Sequence, residues 1–383
     1  MNRVEVNPEL LSWARERAGL DILELAHRFP RLPDWETRTH APTLRQLEEF
    51  ARAVHVPIGF LFLPAPPQEA LPIPDFRTLA GRGITHPSPN LLDTLYLCQQ
   101  RQDWYVEYSR LHGLPQVDFV GTAEVGQEPA AVASEIRVAL ALSAADRERL
   151  PTWTDALRQL IVKAEEAGVL VMASSVVGSN SHRKLDVEEF RGFALADELA
   201  PVVFLNAADS KAAQMFTLVH ELAHLWLGAS GISDPTAGDV PDQALERWCN
   251  AVAAEVLIPL TELHERYRPH VPPAEQIQYL ARIFKVSTLV ALRRLFDARL
   301  ITRETLSHCY REELARIRSL DRGEGGGGNF YRTLGARTGK RFARAVLSST
   351  LEGQTLFHDA YRMLGIRKTS TFYEAARELE VML

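Results

Sequence analysis

Cysteine is scarce in this chain of 383 residues: there are three, Cys98, Cys249 and Cys309, and no two form a Cys-x-x-Cys pair. An odd, scattered set excludes a disulfide framework and a thiolate zinc site, and fits reduced thiols in a cytoplasm. Long hydrophobic runs are missing as well. No stretch approaches the roughly 18 apolar residues of a membrane-spanning helix, so no membrane partner is expected. The opening Met-Asn-Arg-Val-Glu-Val-Asn-Pro has neither the apolar core nor the small-residue cleavage site of a signal peptide, which again predicts a cytoplasmic location. The one glycine-rich run, Gly323-Glu-Gly-Gly-Gly-Gly328, has no following Gly-Lys-[Ser/Thr] and no preceding strand. It reads as a connector, not as a phosphate loop.

What is present describes a globular chain of two or three domains: 46% apolar residues, 24% charged, and length enough for a substantial core. The net charge of −6 is unevenly spread. Residues 266–383 hold 21 Lys+Arg against 12 Asp+Glu, while residues 1–265 hold 22 against 37. This asymmetry suits a basic C-terminal surface for nucleic acid or an acidic partner, or docking of that part onto the acidic remainder. Arg337, Lys340, Arg341 and Arg344 recur at helical spacing and are the candidate phosphate contacts.

The chain is organised around Thr217-Leu-Val-His220-Glu221-Leu-Ala-His224-Leu-Trp-Leu-Gly228, its one His-Glu-x-x-His. Histidines four apart stack one turn above each other on a helix, so both imidazoles can grip one metal ion. The intervening Glu221 can reach a water beside that metal as general base. Apolar residues wrap the helix almost completely, which predicts burial. Two buried histidines and a glutamate are costly without a metal or partners. Asp209 or Ser210 is the candidate N-cap, and Gly228 and Gly231 end the helix.

Ahead of this helix, three short apolar runs read as strands: Val169–Met172, Phe193–Ala196 and Pro201–Leu205. A small sheet packed on such a helix is the layout of zinc-dependent peptidases, in which an edge strand runs along the cleft. Val202–Leu205 is the expected edge. A hydrolytic zinc site takes three protein ligands and leaves a fourth position open. No third ligand follows His224 at close spacing, so the next helix, expected from about Pro241 to Pro259, must supply it. Glu246 and Glu255 lie there about 180° apart and cannot both face one ion. Glu246 is favoured, because Asn250, Ala253 and Leu257 give its face small and packing residues.

Residues 8–63 read as short helices, Glu9–Ala18, Ile22–Phe29 and Thr43–Val54, closed by Val56-Pro-Ile-Gly-Phe-Leu-Phe-Leu63. With Trp35-Glu36 and Pro42-Thr-Leu-Arg-Gln-Leu47, this stretch resembles the Xre-like helix-turn-helix family. Pro30 and Pro33 leave room for barely one turn of reading helix, and residues 1–64 carry 8 basic against 9 acidic side chains. DNA binding by this unit is therefore possible but not expected, since it normally needs phosphate-neutralising charge. A proline-rich connector follows, with seven prolines from Pro64 to Pro89, then helices at Asn90–Leu111, Ala130–Leu142 and Thr154–Ala167. Residues 266–383 read as helical again, with Ala274–Phe284, Thr288–Phe296, Arg303–Ile317 and Ala360–Leu364.

His220-Glu-Leu-Ala-His224 followed by Glu246-x-x-x-Asn250-Ala-Val-Ala-Ala-x-Val-Leu-Ile-Pro259 resembles the ImmA/IrrE family of metallo-endopeptidases. The resemblance implies Zn²⁺ held by His220, His224 and Glu246, catalysis by Glu221, and a helix-turn-helix repressor as protein substrate. The expected fold is α+β and mostly helical. It comprises a helix-turn-helix unit (1–64), a connector with a helical linker (65–129), a zincin-like metallopeptidase core with a small sheet (130–265), and a basic helical C-terminal region (266–383). The reading of a different class is a regulatory or antitoxin-like binding protein, facing a toxin-like partner or DNA, that keeps the zinc fold without physiological proteolysis.

Overall fold

The computed structural model describes residues 3–67, 69, 71–75, 87–233, 244–320 and 330–382. By their contacts these fall into two units, one within Met1–Pro72 and Arg82–Leu95, the other within Ile73–Gly81 and Tyr96–Leu383.

The first unit contains α1 (Pro8–Arg17), α2 (Ile22–Arg28), α3 (Leu32–Glu36), α4 (Leu44–Ala53) and a 3-10 turn at Ile58–Phe62. Three of these helices start where a side chain can satisfy their free amides, and α3 has no such cap. Asn7 caps α1, Asp21 caps α2, and Thr43 with Gln46 forms a capping box on α4. Leu10, Leu11, Ala14, Leu32, Trp35, Leu47, Phe50 and Leu61 close the core. In α3, only five residues long, Leu32 and Trp35 face inward, with the Trp35 ring 6.2 Å from Phe29 and 6.4 Å from Phe50. The segment where a reading helix would lie thus uses its two largest side chains for the core.

Helix α5 (Pro89–His112) leads on to α6 (Pro129–Ala139), α7 (Ala144–Arg149) and α8 (Trp153–Glu166). Next come β1 (Leu170–Ser174), β2 (Gly192–Leu195), β3 (Val202–Asn206), α9 (Lys211–Trp226), β4 (Gly231–Ser233) and α10 (Ala244–Leu257). The rest is helical: α11 (Leu260–Arg266), α12 (Pro273–Phe284), α13 (Thr288–Asp297), α14 (Arg303–Leu320), α15 (Phe330–Thr338), α16 (Lys340–Leu351), α17 (Phe357–Leu364) and α18 (Thr369–Glu378). The result is mostly helical with one small mixed sheet, an α+β fold. The expected start of the α10 helix at Pro241 and the glycine run at 323–328 lie outside the described residues.

The sheet order is β1-β3-β2-β4, with β1 parallel to β3 and the other pairings antiparallel. This corrects the expectation that Val202–Leu205 is the edge along the cleft: β3 is interior, and β4 is the edge on the side of β2. The physical reason was visible in its composition. Val-Val-Phe-Leu-Asn is buried at every position, and a strand apolar on both faces belongs in the middle of a covered sheet. One face carries Val171, Ala194, Val203 and Leu205 against α8 and α9. The opposite face stacks Phe193 on Phe204, centroids 4.9 Å apart. On this side β1 meets α15 and α16.

The C-terminal helices dock through the basic residues noted above. Arg341 donates to the Tyr105 hydroxyl (2.9 Å) and to the Glu165 carbonyl (3.2 Å), and Arg344 donates to the Leu379 carbonyl (2.9 Å). Arg337 is buried, and the fully buried Arg101 donates to the carbonyls of Met363 and Arg337. Of the four candidate phosphate contacts, three are engaged or enclosed within the fold, so docking accounts for them. Among the described residues, no helix is long and apolar enough to cross a membrane, and the three cysteines are free thiols.

Candidate metal centre

Helix α9 begins at Ser210, whose hydroxyl accepts from the Ala213 amide (3.2 Å), and every residue from Gln214 to Trp226 is buried. It stops at Gly228, whose φ of +64° suits a residue without Cβ, and the Ala229 amide turns back to the His224 carbonyl (3.0 Å). Between these limits, His220, Glu221 and His224 sit at 0% exposure. Helix α10 packs against α9 and brings up Glu246, 2% exposed, from its first turn.

His220 Nε2 is 3.2 Å from one Glu246 carboxylate oxygen, His224 Nε2 is 3.0 Å from the other, and the two Nε2 atoms are 3.1 Å apart. The protons of this cluster can be counted. His220 Nδ1 lies 3.0 Å from the Asn250 side-chain oxygen, an acceptor, so Nδ1 carries the hydrogen and Nε2 presents its lone pair. The Nε2 atoms of His220 and His224 and the Glu246 carboxylate thus converge on one point, where a cation would fit. Ligands at about 2.0–2.1 Å from a tetrahedral Zn²⁺ are about 3.3–3.5 Å from one another, close to the spacing found. Among the described residues, this is the group of His, Cys, Asp or Glu side chains able to hold a metal ion.

Burial alone would raise the Glu246 pKa, but the two imidazoles outweigh it and bring it down to about 2, so the carboxylate is charged. His224 is lowered, first by burial and then by the neighbouring His220, which keeps its ring neutral and able to ligate. Glu221 moves the other way. Burial and then the negative Glu246 push it well above the usual carboxylate range. Neither of its oxygens has a hydrogen bond of good geometry. The Ser233 hydroxyl, close by, opposes the shift without cancelling it. A carboxylate held this way is a strong proton acceptor.

Glu255, the other candidate ligand, lies elsewhere. It forms an ion pair with the nearly buried Arg294, which also donates to the Ile258 carbonyl (2.8 Å). Three contributors were not apparent from spacing. Asn250 orients His220, though only its place near the Glu246 face was legible. Ser233, at the end of β4, puts its hydroxyl 3.2 Å from His224 Nε2. Gly192 in β2 lets the sheet approach α9: a Cβ there would stand 2.6 Å from the Thr217 methyl, 2.9 Å from the Phe204 carbonyl oxygen and 3.1 Å from Glu221 Oε1. Strand β4 is only three residues long and carries no alternation that a sequence pattern could detect.

Residues 164–296 match the family model described as the IrrE N-terminal-like domain, and residues 338–378 match a domain of unknown function (DUF8813). Among curated proteins, the chain is similar to the radiation response metalloprotease IrrE of Deinococcus deserti. The two are 32% identical over 131 residues, covering 33% of this chain and 44% of that protein. Its namesake in Deinococcus radiodurans is 33% identical over 99 residues, covering 24% of this chain and 30% of the relative. The chain thus spans less than half the length of either relative.

Proposed function

We propose that this chain, which through residues 164–296 belongs to the ImmA/IrrE family, is a zinc-dependent endopeptidase that cleaves a regulatory protein at one site. The observation that carries this reading is the convergence of His220 Nε2, His224 Nε2 and the Glu246 carboxylate beside a buried carboxylate, Glu221, that has no good hydrogen bond of its own.

In this reading His220, His224 and Glu246 hold Zn²⁺, which when bound supplies a Lewis acid for a water and for the scissile carbonyl. Asn250 keeps the hydrogen of His220 on Nδ1, so that Nε2 stays available. Glu221 accepts the water's proton on its carboxylate and delivers it to the leaving amine. Its raised pKa serves both halves of that transfer. The substrate class follows from the resemblance, which implies a helix-turn-helix repressor cut at an exposed linker, with unfolded casein cut poorly. The first unit is then a helix-turn-helix domain that contacts protein in preference to DNA.

The test pairs Glu221→Gln with the unchanged protein. The variant keeps about one zinc per chain. The unchanged protein, incubated with the repressors encoded beside it, yields two fragments of one of them by mass spectrometry, and the variant yields none. Cleavage by Glu221→Gln at the unchanged rate would sink the mechanism. Tight binding to a neighbour's product without any cleavage would favour the antitoxin-like reading.

A further inference from the structure

A peptidase site must admit a polypeptide, yet His220, Glu221 and His224 have 0% exposure and Glu246 2%. The structure therefore describes a closed state, and the edge of the sheet beside the site carries a contact where a substrate strand would add. Strand β4 is that edge. Its Ser233 turns toward His224, and Gly231 and Ser233 are paired to β2. Ile232, between them, points its amide outward to the free side, where a substrate strand would add by backbone hydrogen bonds.

That amide is taken. Ile232 N–H donates to the Pro74 carbonyl at 3.0 Å, and Asp75 bridges Ile232 in parallel. The occupant comes from the proline-rich connector Leu71-Pro72-Ile73-Pro74-Asp75, and Ile73–Asp75 group with the second unit, whereas Pro72 groups with the first. Its composition suits a resident competitor. Two prolines restrict the backbone of this segment and so lower the entropy lost on pairing. Proline has no N–H, so this strap cannot pass the sheet on to a further strand through Pro72 or Pro74.

We propose that Ile73–Asp75 is an intramolecular strap that occupies the β4 edge in place of a substrate strand, and must leave Ile232 before a protein substrate can bind. This rests on the endopeptidase reading above. The strap is continuous in sequence with the first unit through Pro72.

Two full-length variants test this. In Asp75→Cys/Ile232→Cys, paired backbones about 4.8 Å apart fall within the Cα separation of disulfides, about 4.4–6.8 Å. The oxidised form should cut the neighbouring repressor at least tenfold more slowly than the reduced form, at equal zinc content. In Pro72→Gly/Ile73→Gly/Pro74→Gly, the freed strap gains chain entropy. Hydrogen exchange of the Ile232 amide and cleavage of the neighbouring repressor should both rise about tenfold over the unchanged protein. Equal cleavage by the oxidised and reduced forms, or unchanged Ile232 exchange in the glycine variant, would overturn the strap. Faster Ile232 exchange with zinc in place, but no cleavage by any form, would overturn the peptidase reading, and the competing role with it.

Discussion

Gly192→Ala tests whether the approach of β2 to α9 builds the site. The added methyl would stand 2.6 Å from the Thr217 methyl carbon, against about 3.5–4.0 Å for relaxed carbon contacts, so one element must move by roughly 1 Å. The second contact is the Phe204 carbonyl oxygen at 2.9 Å, a backbone atom in an interior strand that cannot rotate away. Overpacking costs about 1–3 kcal/mol, and the immobile carbonyl places this case in the upper half. Loss of glycine's freedom in the unfolded chain returns only about 0.4–1 kcal/mol. The expected result is a net destabilisation of about 1–2 kcal/mol, read as a lower urea midpoint with unchanged slope. Because the third contact is Glu221 Oε1 at 3.1 Å, displacement of that carboxylate should cut turnover at least about tenfold while zinc stays bound. Thr217→Ser removes only the methyl, so the double variant should recover at least about 0.5 kcal/mol relative to additivity. A Gly192→Ala protein within about 0.5 kcal/mol of the unchanged one would refute the reasoning, and additive behaviour with Thr217→Ser would remove Thr217 from it.

Further variants separate holding the metal from holding the fold. Asn250→Ala should weaken zinc binding about 10–100-fold by releasing the His220 ring, and Asn250→Asp, which keeps an acceptor, should restore most of it; chelator competition reads both, and an unchanged affinity for Asn250→Ala would remove the orienting role. Glu246→Ala should lose zinc in the same assay with a modest change in unfolding. Glu255→Ala should bind zinc normally per folded chain but lose about 3–5 kcal/mol of stability, because the nearly buried Arg294 is left without its carboxylate. The reverse order of zinc affinities would move the ligand to Glu255.

Local pattern was enough for most of the helices and for the motif. The 3.6-residue periodicity and the caps marked α4, α9, α12 and α13 closely, and the 180° separation of Glu246 and Glu255 left one of them on the face that meets α9. These readings succeeded because a helix's hydrogen bonds and faces are set by residues within a few positions of one another.

Sheet order was a different matter. Val202–Asn206 was legible as a strand, but its neighbours were not, since pairing joins segments whose sequences carry no mark of one another. The same holds for Gly192 against Thr217, for Ser233 beside His224, and for Pro74 against Ile232. Each is a contact between different segments of the chain, and each matters through distance, not residue type. The sequence by itself determined which groups could do the chemistry: two imidazoles, two carboxylates and a helix to align them. Only the tertiary structure decided that β4, not β3, borders them, that a glycine lets the sheet reach Glu221, and that the chain's own connector holds the edge. Those outcomes depend on close packing across the whole core, which no local window of sequence contains.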